Sequence, residues 1–239
     1  DVMMYDQKGD SMIYASRISA KVSLLPLLNQ KISIASAQLF GLKANLYQQT
    51  PQSKHNFQFV LDSLASKDTT KHTPLDLHIG SLIIRHGAVK YDKRYIVSKS
   101  GVFSPAHISI SDLSTHIIAN HITDDAINLH IKKLAFRDKS GLQLNSLSFK
   151  LDANKREASL KEFELQLPHS DITLGDIHAT YKFDNGKLVM PTLQYSGSIE
   201  QSKITLSDIA CLLPIFRHFE DAVFFETQFT GTSTSLRYQ

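Results

Sequence analysis

Eleven histidines, one cysteine and a scatter of acids are the side chains of this 239-residue chain best suited to chemistry. A metal centre needs such ligands gathered at short spacings, as in H-E-x-x-H or paired Cys and His. Here His55, His72, His78, His86, His107, His116, His121, His130, His169, His178 and His218 are dispersed. Most fall at the polar phase of alternating segments, as His78 and His130 do, which a solvated strand face explains better than a metal. Cys211 stands alone, so it can form no internal disulfide and leaves the redox compartment open. It lies on an apolar stretch, where a thiol is usually inert, and no G-x-S-x-G supplies another nucleophile. The paired acids Asp124-Asp125 and Glu220-Asp221 are sequence neighbours, and adjacent strand residues point apart, so they read as loop charges. There is no glycine-rich phosphate loop and no basic patch interleaved with aromatics, which argues against nucleotide and nucleic acid ligands. The expectation is a non-enzymatic chain without catalytic, cofactor or metal site.

The composition, 42% apolar and 21% charged with ten Gly and seven Pro, is that of a folded chain. The net charge of +3 is spread along it. No stretch approaches the ~20 consecutive apolar residues of a membrane-spanning helix, and no signal peptide opens the chain. No Gly/Ser/Pro-rich linker divides it, so one continuous β-rich fragment, 1–239, is expected. Its sub-regions are 12–66 (strands and a short helix), 75–206 (a β-meander) and 207–239 (a short helix and the start of the next strand segment). The opening on Asp1 and the strand-like close suggest a piece of a longer protein.

The dominant signal is period-two alternation, the signature of strands with one buried and one wet face. Leu142, Leu144, Leu147, Phe149 and Leu151 show it, with one slip of phase at Ser146. The slip recurs as apolar positions at i, i+2, i+5 and i+7. Ile32/Ile34/Ala37/Leu39, Leu77/Ile79/Leu82/Ile84, Ile108/Ile110/Leu113/Thr115 and Leu129/Ile131/Leu134/Phe136 fit it. So do Leu160/Phe163/Leu165/Leu167 (offset at its start), Ile172/Leu174/Ile177/Ala179 and Leu188/Met190/Leu193/Tyr195. One extra residue with the apolar set kept on one side is a β-bulge, which bends and twists a sheet. The alternative is a break between two short strands. His86-Gly87, Ser140-Gly141, Asp184-Asn185-Gly186 and Ser196-Gly197 read as turns, and connections this short favour an antiparallel meander over βαβ units.

Helices are few. Phe57, Val60, Leu61 and Leu64 form one apolar stripe over Asn56–Ser66, with Asn56 as N-cap. Ser207–Phe219 repeats the spacing, ended or kinked by Pro214, and Leu24–Leu28 holds a third turn broken by Pro26. Two or three short helices cannot cover the apolar faces of seven or more strands. The sheet must close as a barrel, pair as a sandwich, or curl into a trough filled by a ligand. In the last case Leu129, Ile131, Phe136, Leu144, Leu147, Phe149, Phe163, Leu165, Leu174, Tyr181, Leu193 and Tyr195 are the candidate lining. A purely structural core has the same composition.

The segment ISAKVSLLPLLNQKISIASAQLFGLKANL (Ile18–Leu46), followed by HNFQFVLDSL (His55–Leu64), resembles the N-terminal region of AsmA-like and TamB-like proteins, the latter from the translocation and assembly module. The likeness continues in GSLIIRHGAVKYDKR (Gly80–Arg94), ITLSDIACLLPIF (Ile204–Phe216) and FTGTSTSL (Phe229–Leu236). The resemblance implies a periplasmic segment of a Gram-negative cell-envelope protein, held in the inner membrane by an anchor outside these residues. It implies a mostly β fold, a curled antiparallel meander forming a half-pipe with an apolar inner face and two or three short helices. It implies phospholipid acyl chains as cargo, a role in phospholipid transport and outer-membrane biogenesis, and, for TamB-like members, an outer-membrane barrel assembly partner. The other expectation is a closed β-sandwich or barrel acting as an adhesion or protein-binding module.

Overall fold

The computed structural model describes residues 1–23, 33–65, 78–122, 126–184 and 187–238. The chain is mostly β, and its strands in order are β1 (Val2–Tyr5), β2 (Ser11–Ala15), β3 (Arg17–Ser23), β4 (Ser33–Phe40), β5 (Lys43–Gln48), β6 (His78–Ile79), β7 (Ser81–Lys93), β8 (His107–Ile122) and β9 (Ala126–Asp138). There follow β10 (Gln143–Asn154), β11 (Glu157–Gln166), β12 (Asp171–Leu174), β13 (Ile177–Thr180), β14 (Phe183–Asp184), β15 (Lys187–Leu188), β16 (Gln194–Thr205), β17 (Ala222–Thr232) and β18 (Leu236–Tyr238). One α-helix, α1, spans Gln58–Ala65, and 3₁₀ helices occupy Met190–Thr192, Leu206–Ile209 and Pro214–His218.

The strands hydrogen-bond in the order β1-β2-β5-β7-β8-β9-β10-β11-β12-β16-β17-β18, with β3, β4 and β6 joined through β4 and with β13 between β11 and β16. β14 and β15 form a separate hairpin. Among the described residues β1 and β18 do not pair, so no barrel closes. The residues gather into two compact units, Asp1–His116 with Phe136–Leu142 and Ile117–Ala135 with Gln143–Gln239, called here the N unit and the C unit.

In the N unit β4 and β5 run parallel to β7, and β4 runs parallel to β6. The sheet is therefore mixed, which corrects the wholly antiparallel expectation. A parallel pair needs a crossover of about a dozen residues or more, usually with a helix, and the chain between β5 and β7 carries α1. Asn56 does not cap that helix. Its side chain accepts from Tyr47 N and donates to Asn45 O, tying the loop to β5, and the helix begins at Gln58. Met12, Ala15, Tyr47 and Ile84 form the buried apolar centre of this unit.

The phase slips resolve in two ways. At Ile110/Leu113 and Leu160/Phe163 the strand continues through two exposed residues, the second left-handed: Asp112 at φ 54° and Glu162 at φ 52°. The β10–β11 register shifts at the latter, so this is a bulge. β4 likewise shifts register against β3 within Ile34–Ser36. At Gly80, at Gly175-Asp176 and over Met190–Thr192 the strand breaks instead.

His86-Gly87 is not a turn but a third bulge inside β7, with His86 at φ 54°. Ser196-Gly197 lies inside β16. Both glycines serve close packing: a Cβ on Gly197 would stand 2.8 Å from Ile177 Cγ1, and one on Gly87 3.1 Å from Leu113 Cβ. Ser140-Gly141 does turn the chain, with Gly141 at φ 101°. Ser207–Phe219 forms two 3₁₀ turns rather than one helix, the second starting at Pro214. Leu24–Leu28, Ile32, Leu77 and Asn185-Gly186 lie outside the described residues.

Candidate functional site

The C unit is an antiparallel meander whose register sorts its side chains into two unlike faces. β10 against β11 sets Leu147 opposite Leu165, Leu151 opposite Leu160 and Ala153 opposite Ala158. β12 places Ile172 opposite Leu165 and Leu174 opposite Phe163, and β13 places Ile177 opposite Leu160 and Ala179 opposite Ala158. β16 adds Ile199 beside Leu174 and Tyr195 beside Ala179. β17 completes the rows with Thr227 opposite Ile199, Phe229 opposite Gly197 and Gly231 opposite Tyr195.

Directly opposed residues share a side of the sheet. Four ranks therefore cross one face: Leu147/Leu165/Ile172, Phe163/Leu174/Ile199/Thr227, Leu151/Leu160/Ile177/Gly197/Phe229, and Ala153/Ala158/Ala179/Tyr195/Gly231. Phe149 joins the second rank by stacking on Phe163, ring centroids 6.3 Å apart. Tyr195 leans over Gly231, where a Cβ would meet its ring at 2.4 Å, and lies 6.2 Å from Phe229. No charged residue interrupts these ranks. Four ranks at two residues each along the strands span about 20 Å, and five strands about 20 Å across.

The other side is a polar ladder. Asp152, Ser159, His178, Ser196, Thr230 and Arg237 stand opposite one another in turn across five pairings. Asn120 donates to Asn128 at 2.8 Å, and Asn128 donates to Asp152 at 2.6 Å. Lys150 pairs with Glu162 at 2.5 Å, and that hydrogen bond holds the Glu162 carboxyl below its ordinary range. A cavity of about 520 Å³ on this side is lined by Asn128, Lys150, Asp152, Lys161 and His178 among others, a setting for water rather than for acyl chains.

Of the twelve candidate lining residues, Leu147, Phe149, Phe163, Leu165, Leu174 and Tyr195 are brought together on the apolar face. Asn128 reaches to the polar side, so Leu129 and Ile131 alternate onto the apolar one in β9. Leu144 is buried at the start of β10. Tyr181 sits at the rim: its hydroxyl donates to Asn154 O and Glu157 O, holding the β10–β11 turn, and burial followed by the Glu157 charge raises its pKa. Leu193 closes the 3₁₀ turn, donating its N–H to Met190 O. Phe136 belongs to the N unit. The sequence reading passed over Leu151, Leu160, Ile177, Ile199 and Phe229; the alternation of Phe225, Thr227, Phe229 and Gly231 was the signal for the last strand.

The described residues of the C unit bury only two apolar side chains, Leu144 and Cys211. The ranked Leu, Ile and Phe residues are half-buried, shielded by each other rather than by a second layer. The unit's 3₁₀ helices, three to five residues long, cannot span five strands.

Polar burial concentrates at one end of the sheet. Asp208 accepts from Ser170 Oγ at 2.6 Å, from His169 N at 2.9 Å and faces His169 Nδ1 at 2.8 Å. Ser170 is wholly buried and hydrogen-bonds the aspartate rather than the imidazole, so Ser, His and Asp meet here without the contact a nucleophile needs. Thr205 N donates to Ser170 Oγ, which pins this group to β16. In the N unit His107 Nδ1 lies 2.6 Å from Asp92, and Asp6 accepts from Tyr47 OH and from the amides of Lys8 and Asp10. Among the described residues no three His, Cys, Asp or Glu side chains are placed to hold a metal ion.

Scans against protein-family models, curated proteins and solved structures each return no match for the chain.

Proposed function

We propose that the apolar face of the C unit holds phospholipid acyl chains, as a non-enzymatic segment of an AsmA/TamB-like envelope protein engaged in lipid transport to the outer membrane. The observation that carries this reading is a face of four uncharged ranks, roughly 20 Å on each side, over which the unit lays no second layer. Such an area, about 400 Å², lies within the range of the largest apolar patch on an ordinary monomer, and such patches are often functional. Leucine, isoleucine and phenylalanine at half-burial offer dispersion contact without a hydrogen-bonding group to fix a polar ligand. Each acyl CH₂ withdrawn from water there contributes roughly 0.8 kcal/mol, so a single chain gives a stable complex.

The test is native mass spectrometry with lipid extraction on the chain purified from bacterial envelope, beside Leu147→Asp and Leu165→Asp. Those two residues are cross-strand partners at the centre of the first rank. Phospholipid should accompany the parent chain and be absent from both variants, with circular dichroism unchanged. A lipid-free, stable parent, or variants that simply unfold, would overturn the reading. Ser148→Asp, on the polar side, should keep its lipid.

Protein binding at the sheet edge is the second reading. β18 is three residues long with Leu236 and Tyr238 well exposed, and its outer side is unpaired among the described residues. An outer-membrane barrel partner adding a strand there is the form that reading takes.

A further inference from the structure

The connection between β16 and β17 carries a concentration of bare apolar surface. Leu212 is 45% exposed, Leu213 51%, Ile215 74%, Phe219 53% and Phe224 75%. We infer that this tip inserts shallowly into a phospholipid bilayer, docking the C unit on a membrane surface.

Three features distinguish a bilayer from water or a protein groove as its surroundings. The tip is anchored from behind. Asp208, at its root, is held by Ser170 and His169, and the neighbouring Cys211 is buried, so the apolar side chains are presented rather than free to collapse onto the sheet. The tip also satisfies its own backbone, a requirement that grows as water becomes scarce. Leu212 N and Leu213 N both donate to Ile209 O, Pro214 has no N–H, Phe216 N donates to Leu213 O and Phe219 N to Phe216 O. Ser207 N donates to Phe219 O and closes the loop. Finally, the following residues are mixed in charge: Arg217 is opposed by Glu220 and Asp221. Attraction to anionic headgroups therefore adds little, and apolar contact must supply the binding.

The chain contains no tryptophan, so Ile215→Trp gives a single clean reporter. Val97→Trp, at a position 90% exposed in the N unit, is the control. With vesicles of phosphatidylethanolamine and phosphatidylglycerol, Ile215→Trp should shift its emission to the blue and be quenched by brominated acyl chains, while Val97→Trp should do neither. Adding Leu213→Glu should weaken vesicle partitioning about tenfold, the weight of one leucine side chain. The shift should survive high salt, where the Debye length falls to about 3 Å. It should also survive Leu165→Asp, which separates this proposal from acyl-chain capture by the sheet. No shift, or a shift abolished by salt, would overturn bilayer insertion. So would a shift that appears without vesicles and grows with protein concentration, which would assign the tip to a second copy of the chain.

Discussion

Asp208 should be the residue whose loss costs the C unit most for its size. Its side chain is 2% exposed and takes a hydrogen bond from a wholly buried hydroxyl, from a backbone amide and from an imidazole that is itself 67% exposed. Truncation to alanine strands the Ser170 hydroxyl without its carboxylate, a loss of about 1–3 kcal/mol, and the His169 amide for about 1 kcal/mol more. The His169 ring, largely in water, contributes little once screening is counted. Asp208→Ala should therefore destabilise by roughly 2–4 kcal/mol, and Asp208→Asn, which keeps one acceptor, by about half as much. Urea unfolding followed by circular dichroism measures both. Ser170→Ala alone also leaves Thr205 N without its acceptor, so the two single losses overlap. The double variant should fall short of their sum by about 1–2 kcal/mol, since contacting residues couple. A cost below about 1 kcal/mol for Asp208→Ala, or strict additivity, would refute the anchor described for the β16–β17 connection.

Asp6 offers a test by pH. Burial opposes its charge, but the Tyr47 hydroxyl and the Lys8 and Asp10 amides outweigh that and hold its pKa below 3.8. A lowered carboxylate pKa gives stability that is present above the unfolded value and lost as pH falls through the folded one. The contribution should thus vanish only below about pH 4, and Tyr47→Phe should shrink it in acid titrations of stability. Gly231→Ala should destabilise by about 1–3 kcal/mol in thermal unfolding, because the added methyl meets the Tyr195 ring and Ser235 O. Glu162→Val should cost about 1–2 kcal/mol, since a β-branched residue resists φ 52°, whereas Glu162→Gly should be tolerated. Lys150→Ala, which breaks an exposed ion pair with Glu162, should change chemical stability by under about 1 kcal/mol.

Much of the C unit was legible because strand alternation is a local signal. Leu147, Leu165 and Leu174 were assigned to one face from spacing alone, and register then carried that face across the sheet. The slips at Asp112 and Glu162 were visible because a bulge leaves two polar residues between apolar ones. What failed depended on distant partners. Nothing local to Ala37 or Ala44 announces that each will run parallel to β7, since that pairing is set by the long chain between β5 and β7. Ser207–Phe219 has helical spacing, but Asp208 is drawn into the sheet end by residues 38 and 39 positions away, and Pro214 restarts the chain as a second turn. The glycines at 87 and 197 read as turns because their real cause, a neighbouring side chain on another strand, lies outside any local window.

The left-handed residues at His86, Asp112 and Glu162 give these strands something like a reading frame. Each sits second in a pair of exposed residues, with the inward set resuming immediately after it. Deleting a residue elsewhere in β7, β8 or β11 would turn every following side chain to the wrong side. Deleting the bulge residue itself would restore simple alternation and leave the inward set inward. Chain length in these strands can therefore drift by one residue at three known places without exchanging the wet and dry faces of the sheet.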